Sequence, residues 1–157
     1  MITPLLLAAA LTFAPWPVLA EDMLFDQLQQ LQGKTRVDRN LFVSNVMQLT
    51  DAEAKNFWPV YVTYLEGLEQ INRNFSEIIQ SYAFALRSNS FTEDTAKQLT
   101  DKFLAAQEGE IKLRKSYAVN LAKVVPGKTV ARALQLENKI RAVAWYGLAS
   151  QIPLVKQ

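Results

Sequence analysis

The sequence predicts an all-α protein built on a long antiparallel helical hairpin with shorter flanking helices. Apolar residues recur at alternating steps of four and three over two long segments, which is the spacing of a helix with one apolar seam. A short polar turn joins the two segments, as in an antiparallel helix pair. The chain has no histidine and no cysteine, so helix packing alone must stabilise it and it has little equipment for catalysis.

The first twenty residues are typical of a secretory signal peptide. Residues 1–20 carry no charged side chain and end in Val18-Leu19-Ala20, a small-residue cleavage site. A membrane anchor is the alternative, but a span needs about 20 apolar residues and Pro15 and Pro17 interrupt this run. We therefore expect an exported protein that has no transmembrane span once the signal is removed.

The mature chain has the size of one domain. Residues 21–36 are polar and rich in glutamine, and we expect a flexible or partly helical segment there. Residues 37–153 are expected to form a single all-helical domain. Its first helix should run from Val37 to Met47, with Val37 and Leu41 on one apolar line and Phe42 and Val46 on the next.

The first long helix should run from about Asp51 to Arg87. Thr50 can cap it and Glu53 can complete a capping box, and Pro59 lies close enough to the N-terminus to be tolerated. Its seam follows one heptad row: Phe57, Tyr61, Tyr64, Leu68, Ile71, Phe75, Ile78 and Tyr82.

The second long helix should run from about Glu93 to Val124, after a turn at Ser88-Asn89-Ser90, with Thr92 or Ser90 as its cap. Its seam consists of Ala96, Leu99, Phe103, Ala106, Glu110, Leu113 and Tyr117, flanked by Leu104, Ile111 and Ala118. The hairpin predicts that Phe75 meets Phe103 or Leu104. It also places Tyr61 near Tyr117 or Ala118. Glu110 is expected to pair with Arg114 at the edge of the hairpin.

The last helix follows Pro126-Gly127 and is apolar over much of its circumference. One row contains Ala133, Leu136, Ile140, Val143 and Gly147, and Trp145 and Leu148 widen the apolar surface. Such a helix must be covered on more than one side. It either crosses the hairpin or is buried in a dimer.

Positive charge is concentrated near the C-terminus. Between Lys112 and Arg141 eight basic residues accompany a single acid, Glu137, which favours acidic partners or anionic membrane surfaces. Solvated helix faces without any partner are the alternative.

Motifs for chemistry are nearly absent. Gly127-Lys128-Thr129 matches the end of a phosphate-binding loop, but Ala122 stands where the first glycine is needed. Without histidine or cysteine the usual zinc sites and serine triads are excluded. We expect no enzyme activity, no cofactor, no metal site and no nucleic-acid partner.

The candidates for contact with a client or partner protein are aromatic, basic or apolar: Trp58, Tyr61, Lys112, Arg114, Lys115, Arg132, Arg141, Trp145 and Leu148.

The chain resembles the Spy and CpxP group of periplasmic proteins, whose hallmark is a twice-occurring Leu-Thr-x-x-Gln motif. Leu49-Thr50-Asp51-Ala52-Glu53 matches the first copy with Glu in place of Gln, and Phe91-Thr92-Glu93-Asp94-Thr95 matches the second only at the threonine and the apolar residue before it. The resemblance covers about residues 37–125. It implies a curved four-helix cradle, dimeric, in the periplasm of a Gram-negative-type envelope. Some relatives bind metals, which the lack of His and Cys disfavours here.

Two functions follow from these expectations. The first is an ATP-independent periplasmic chaperone or envelope-stress accessory protein that binds unfolded or stressed envelope proteins, or restrains a sensor protein. The second is a dedicated adaptor or structural envelope protein that binds one folded partner through its C-terminal helix. Whether the protein is a homodimer is left open by the sequence.

Overall fold

The computed structural model describes residue 24, residues 26–30 and residues 36–155. These residues contain helices and turns and no strand, which confirms the all-α prediction. Between residues 36 and 155 the helices are α1 (Arg36–Met47), α2 (Asp51–Arg87), α3 (Glu93–Leu121) and α4 (Gly127–Ala149). The predicted signal peptide, residues 1–20, lies outside the described residues, as does most of residues 21–36.

Contacts group the chain into two compact units. One is Asn40–Asn138, and the other comprises the described residues before Asn40 and after Asn138. The boundaries fall within α1 and within α4, and the first unit contains the whole of α2 and α3. The single domain over residues 37–153 stays a prediction.

A capping box starts α2, as predicted. The Thr50 hydroxyl accepts from the backbone N–H of Glu53 at 3.3 Å, and the Glu53 carboxylate accepts from the backbone N–H of Thr50 at 3.1 Å. The helix continues without a break past Pro59, whose carbonyl accepts from the Thr63 hydroxyl at 3.1 Å.

The turn between α2 and α3 depends on Asn89, which has a φ of 52° in the left-handed region that asparagine tolerates. Thr92 then caps α3 by accepting from the backbone N–H of Thr95 at 3.2 Å. The helix ends at Leu121, three residues before the predicted Val124. After Leu121 the chain continues in a tighter turn, in which the backbone N–H groups of Lys123 and Val124 donate to the carbonyls of Asn120 and Leu121 at 3.3 and 3.0 Å.

α2 and α3 pack against each other in antiparallel order. The ring centroids of Phe75 and Phe103 lie 5.5 Å apart, and those of Tyr61 and Tyr117 lie 6.2 Å apart, so both predicted pairs are confirmed. The helices approach closely at Gly67, where an added Cβ would lie 2.6 Å from Leu113 Cδ1.

The predicted apolar row of α4 is buried from Ala133 to Val143. For α1 the prediction was wrong in its details. Val37 and Leu41 are exposed, and the buried residues are Val43 and Met47, which lie on another side of the same helix.

Glu53 links the beginnings of α2 and α4. Its Oε1 accepts from the Thr129 hydroxyl at 2.8 Å, while its Oε2 accepts from the Thr50 backbone N–H and hydroxyl. The Thr129 bond, followed by the two Thr50 bonds, lowers the pKa of the Glu53 carboxyl because each donor favours the charged form.

We predict that these hydrogen bonds stabilise the fold fully at pH values above the ordinary pKa of glutamate, where Glu53 is charged in both the folded and the unfolded state. Their contribution to the free energy of unfolding should be lost as the pH falls through the lowered pKa of the folded state. Thr129→Val should move the Glu53 pKa back toward its ordinary value, because it removes the largest cause. The measurement is an NMR titration of the Glu53 side chain. Thr95→Val, at the other cap, should leave the Glu53 titration unchanged, and an equal shift in both variants would contradict the assignment.

Candidate protein-binding surface

Aromatic rings fill the core at the open end of the hairpin. Phe57, Tyr61, Tyr64 and Tyr117 are all buried. The rings of Tyr64 and Tyr117 stack with centroids 4.4 Å apart, and those of Phe57 and Tyr61 stack at 5.3 Å. Trp58 packs edge-on against Phe57 and is half-buried. The cluster is therefore packing, and only Trp58 reaches the surface.

A buried hydrogen bond connects this cluster to α4. The Tyr61 hydroxyl donates to Glu137 Oε1 at 2.9 Å, and the two residues are 1% and 2% exposed. A carboxyl group buried this deeply is tolerated only where hydrogen bonds replace water. The bond therefore fixes where α4 meets the hairpin.

The burial of Tyr61 and Glu137 changes two expectations. Tyr61, a candidate for client contact, is inaccessible because its ring lies inside the cluster, so it is removed from the candidate surface. Glu137 is the single acid of the segment from Lys112 to Arg141 and is itself buried, so the charge that this segment presents to solvent is entirely positive.

The basic candidates have different surroundings. Arg114 is half-buried and donates through Nη2 to Asn138 Oδ1, and Arg132 donates to the backbone carbonyl of Val46 at 2.8 and 3.2 Å. Both arginines thus hold helices together. Lys112 and Lys115 are exposed and are available to a partner. Glu110, expected at the edge of the hairpin, is buried at 7% exposure.

The outer face of α3 carries exposed apolar side chains. Leu104, Ile111 and Val119 are 51%, 52% and 58% exposed. At 3.6 residues per turn they lie on the side of the helix opposite its buried residues Ala106 and Tyr117. Leu104 and Ile111 were expected to flank the seam, but they face outward. A helical wheel of the sequence indicates this, because both residues lie on the side opposite the seam.

Lysine accompanies these side chains. Lys115 lies on the same outward side between Ile111 and Val119, and no Asp or Glu occurs between Ile111 and Leu136. We call Leu104, Ile111, Lys115 and Val119 the outer row of α3. Exposed Glu108 lies on this side between Leu104 and Ile111, so positive charge predominates only from Ile111 onward. Ordered helix, exposed apolar area and, in the C-terminal half of the row, positive charge coincide there, which is a combination suited to binding other proteins.

The C-terminal candidates lie near the end of α4. Trp145 and Leu148 are half-buried, and the Arg141 guanidinium lies 5.4 Å from the centre of the Trp145 ring. Tyr146, between them in sequence, is 76% exposed. Sequence reasoning did not select Tyr146, although it is the residue of this helix that offers most aromatic area to a partner.

Among the described residues there is no group of three His, Cys, Asp or Glu side chains arranged to hold a metal ion. In the same part of the chain, no helix combines the length and apolar character that a membrane crossing requires.

No protein-family model, no curated protein and no solved structure matches this chain significantly.

Tyr61→Phe should lower the free energy of unfolding by about 1–3 kcal/mol, because it removes a donor from a buried carboxyl group. Tyr146→Phe is the matched control, since it removes the same hydroxyl from an exposed ring and should change stability by less than about 0.5 kcal/mol. Urea unfolding followed by circular dichroism measures both. Equal effects of the two substitutions would show that the Tyr61–Glu137 bond contributes nothing.

Proposed function

We propose that this protein is a periplasmic, ATP-independent chaperone or envelope-stress accessory protein that binds unfolded or stressed envelope proteins through the outer row of α3. The observation that carries the proposal is the exposure of Leu104, Ile111 and Val119 on an ordered helix beside Lys115. The residues of the hairpin core are buried without them, so folding of the unit Asn40–Asn138 does not use these side chains.

The chemistry of the outer row suits transient binding. Burying apolar area contributes about 25 cal/mol per Å², so a few side chains of this size give contacts that form and release without an energy source. Because apolar contact is non-directional, a row of this kind accepts many client sequences. Positive charge adds attraction at longer range, which salt weakens.

The resemblance to the Spy and CpxP group supports the periplasmic location and the client class. The Leu49–Glu53 motif forms a capping box at the head of α2, which is what such a motif does physically. At the second motif Thr92 caps α3, but Thr95 stands at the third position of the helix, where glutamine would complete a box. Export depends on the predicted signal peptide, and the dimer that the resemblance implies remains an expectation.

The test is suppression of aggregation by the mature chain, residues 21–157, with two chemically unrelated unfolding clients. The wild type should delay aggregation of both, more strongly at low salt. Leu104→Ser with Ile111→Ser should raise the amount needed for half-suppression about tenfold, as expected from the loss of two apolar contacts.

The control for that experiment is Val37→Ser with Leu41→Ser, which removes two side chains of similar exposure from α1. It should leave suppression nearly unchanged. If both pairs of substitutions weaken suppression equally, any exposed apolar surface serves and the outer row is not the site. If the wild type protects neither client, the chaperone proposal fails.

The second candidate function, a dedicated adaptor, is favoured by the exposure of Tyr146 near the end of α4 together with exposed Leu154 and Val155. Affinity capture should then return one stable partner in stoichiometric amount, and Tyr146→Ala should abolish the complex while the circular dichroism spectrum is retained. Phe84→Ala is the control, because Phe84 is an aromatic residue of α2 that is 64% exposed and lies outside both the C-terminal helix and the outer row of α3. Capture that survives Tyr146→Ala would remove the C-terminal helix from consideration.

A further inference from the structure

A groove runs along one side of the hairpin, between α2 and α3. It has two open depressions with volumes of about 380 and 340 Å³. The first lies between Ile78 and Ala106, nearer the turn, and the second lies between Tyr64 and Tyr117, nearer the open end. Their α3 residues are centred about 11 residues apart, which corresponds to roughly 16 Å, or three helical turns, along the axis.

The two depressions belong to one groove because their residues continue the same helical rows. We call these two rows the lips of the groove. The α2 lip contains Thr63, Gly67, Gln70, Asn74, Glu77 and Ser81, and the α3 lip contains Lys102, Ala105, Gly109, Lys112, Ser116 and Asn120. Gly67, Gln70 and Lys112 continue the rows between the two depressions, and the other residues line the depressions. Within each lip, successive residues are three or four positions apart, alternately with one exception, and both lips lie directly beside the apolar seam. These are the positions that flank a coiled-coil seam. The side chains of the lips are mostly small or polar, which leaves space between the lips above the seam residues.

Two glycines hold the lips close to the seam. An added Cβ would lie 2.6 Å from Leu113 at Gly67 and 3.1 Å from Ile71 at Gly109. At both points a side chain of the opposite helix fills the space that a larger residue would occupy. Ile71, Ile78 and Leu113 consequently remain half-buried although they belong to the seam, and they give the groove an apolar floor.

The charges on the lips differ. Lys102 on α3 and Glu77 on α2 line the first depression from opposite sides, and exposed Lys112 lies further along the α3 lip, which contains no acid. A ligand lying in the groove therefore meets positive charge on one flank and negative charge on the other. Complementarity requires acidic groups toward α3, and basic or neutral groups toward α2.

The geometry favours a helix over an extended segment. Backbone groups of α2 and α3 are already bonded within their helices, so an extended peptide would find no ladder to pair with and would leave its own amides unsatisfied when buried. A helix satisfies its own amides, and its side chains at heptad spacing match lips with the same spacing. From Thr63 to Ser81 the α2 lip is about 27 Å long at 1.5 Å per residue, enough for five turns of a partner helix.

We propose that this groove binds an amphipathic helix of another protein, with acidic side chains on the flank toward α3, and that the bound helix completes a three-helix bundle with α2 and α3. This site is separate from the outer row of α3. Its ligand is a helix with defined charge placement, whereas the proposed chaperone activity requires no particular sequence in the client.

The probes are two synthetic peptides of three heptads with leucine at both seam positions. One carries glutamate along the flank expected to face α3, and the other carries lysine there. Fluorescence anisotropy with the mature chain should show saturable one-to-one binding of the glutamate peptide, about tenfold tighter than that of the lysine peptide at low salt, with the preference reduced at high salt.

Three variants locate the site. Lys102→Glu with Lys112→Glu should weaken the glutamate peptide about tenfold and strengthen the lysine peptide. Ser116→Trp places a large ring in the second depression. It should weaken the binding of both peptides at least about tenfold, because the ring occupies the space of the bound helix. Lys115→Glu, three residues from Lys112 but on the outer row, is the matched control and should retain the preference for the glutamate peptide. Circular dichroism checks that each variant is folded.

Failure to bind either peptide overturns the proposal, as does binding that Ser116→Trp leaves unchanged. If the wild type self-associates in sedimentation and Ser116→Trp makes it monomeric, the occupant is a second copy of this chain and the choice of a partner helix is overturned. The aggregation assay separates the two hypotheses: Ser116→Trp should suppress client aggregation as well as the wild type, and the outer-row variant should still bind the glutamate peptide.

Discussion

The hydrogen bond between Tyr61 and Glu137 is the constraint on which the arrangement of the unit Asn40–Asn138 depends. It joins a ring in the centre of the aromatic cluster to a carboxyl group of α4, 76 residues further along the chain. A charged or polar group in such a place destabilises the fold unless its geometry is satisfied, so the bond determines position more than it adds stability. The Glu53–Thr129 bond secures the start of the same helix, and Arg132 ties it to the end of α1 through the carbonyl of Val46. These three polar contacts fix the first half of α4 and leave the far end of the hairpin to be held by its own seam.

This division of roles explains which surfaces are open to other molecules. Near the open end, Tyr61 and Tyr117 are enclosed, and the acid that could neutralise the basic segment is used internally. Solvent therefore meets the lysines of that segment and the apolar residues of the outer row, with Glu108 between Leu104 and Ile111. On the side of the groove the seam is covered only by small and polar lips, because Gly67 and Gly109 bring the two helices together there. Exposed apolar area on rigid helices is the property shared by the outer row and the groove, and both functional proposals depend on it.

Much of the fold could be predicted from the sequence because the heptad row from Phe57 to Tyr82 repeats without interruption and because the caps at Thr50 and Thr92 are local in origin. The bounds of α2 and the ring pairs Phe75–Phe103 and Tyr61–Tyr117 follow from those features alone. The candidate site was harder to predict. Nothing local indicates that Glu137 would be buried by a partner 76 residues away, or that Arg114 and Arg132 would bind Asn138 and the Val46 carbonyl. In α1 two apolar rows compete, and tertiary packing selected Val43 over Val37.

Site-specific photo-crosslinking can show whether the outer row of α3 is the surface that clients contact. A photoreactive side chain replaces Ile111 in one protein and Tyr146 in another, two exposed positions that belong to α3 and to the end of α4. Each protein is illuminated with an unfolding client and, separately, with the same client in its folded form. If clients bind the outer row, crosslinks should form from position 111 to the unfolding client, with few to the folded client and few from position 146. Crosslinks that form mainly from position 146, or equally with folded and unfolded client, would contradict it.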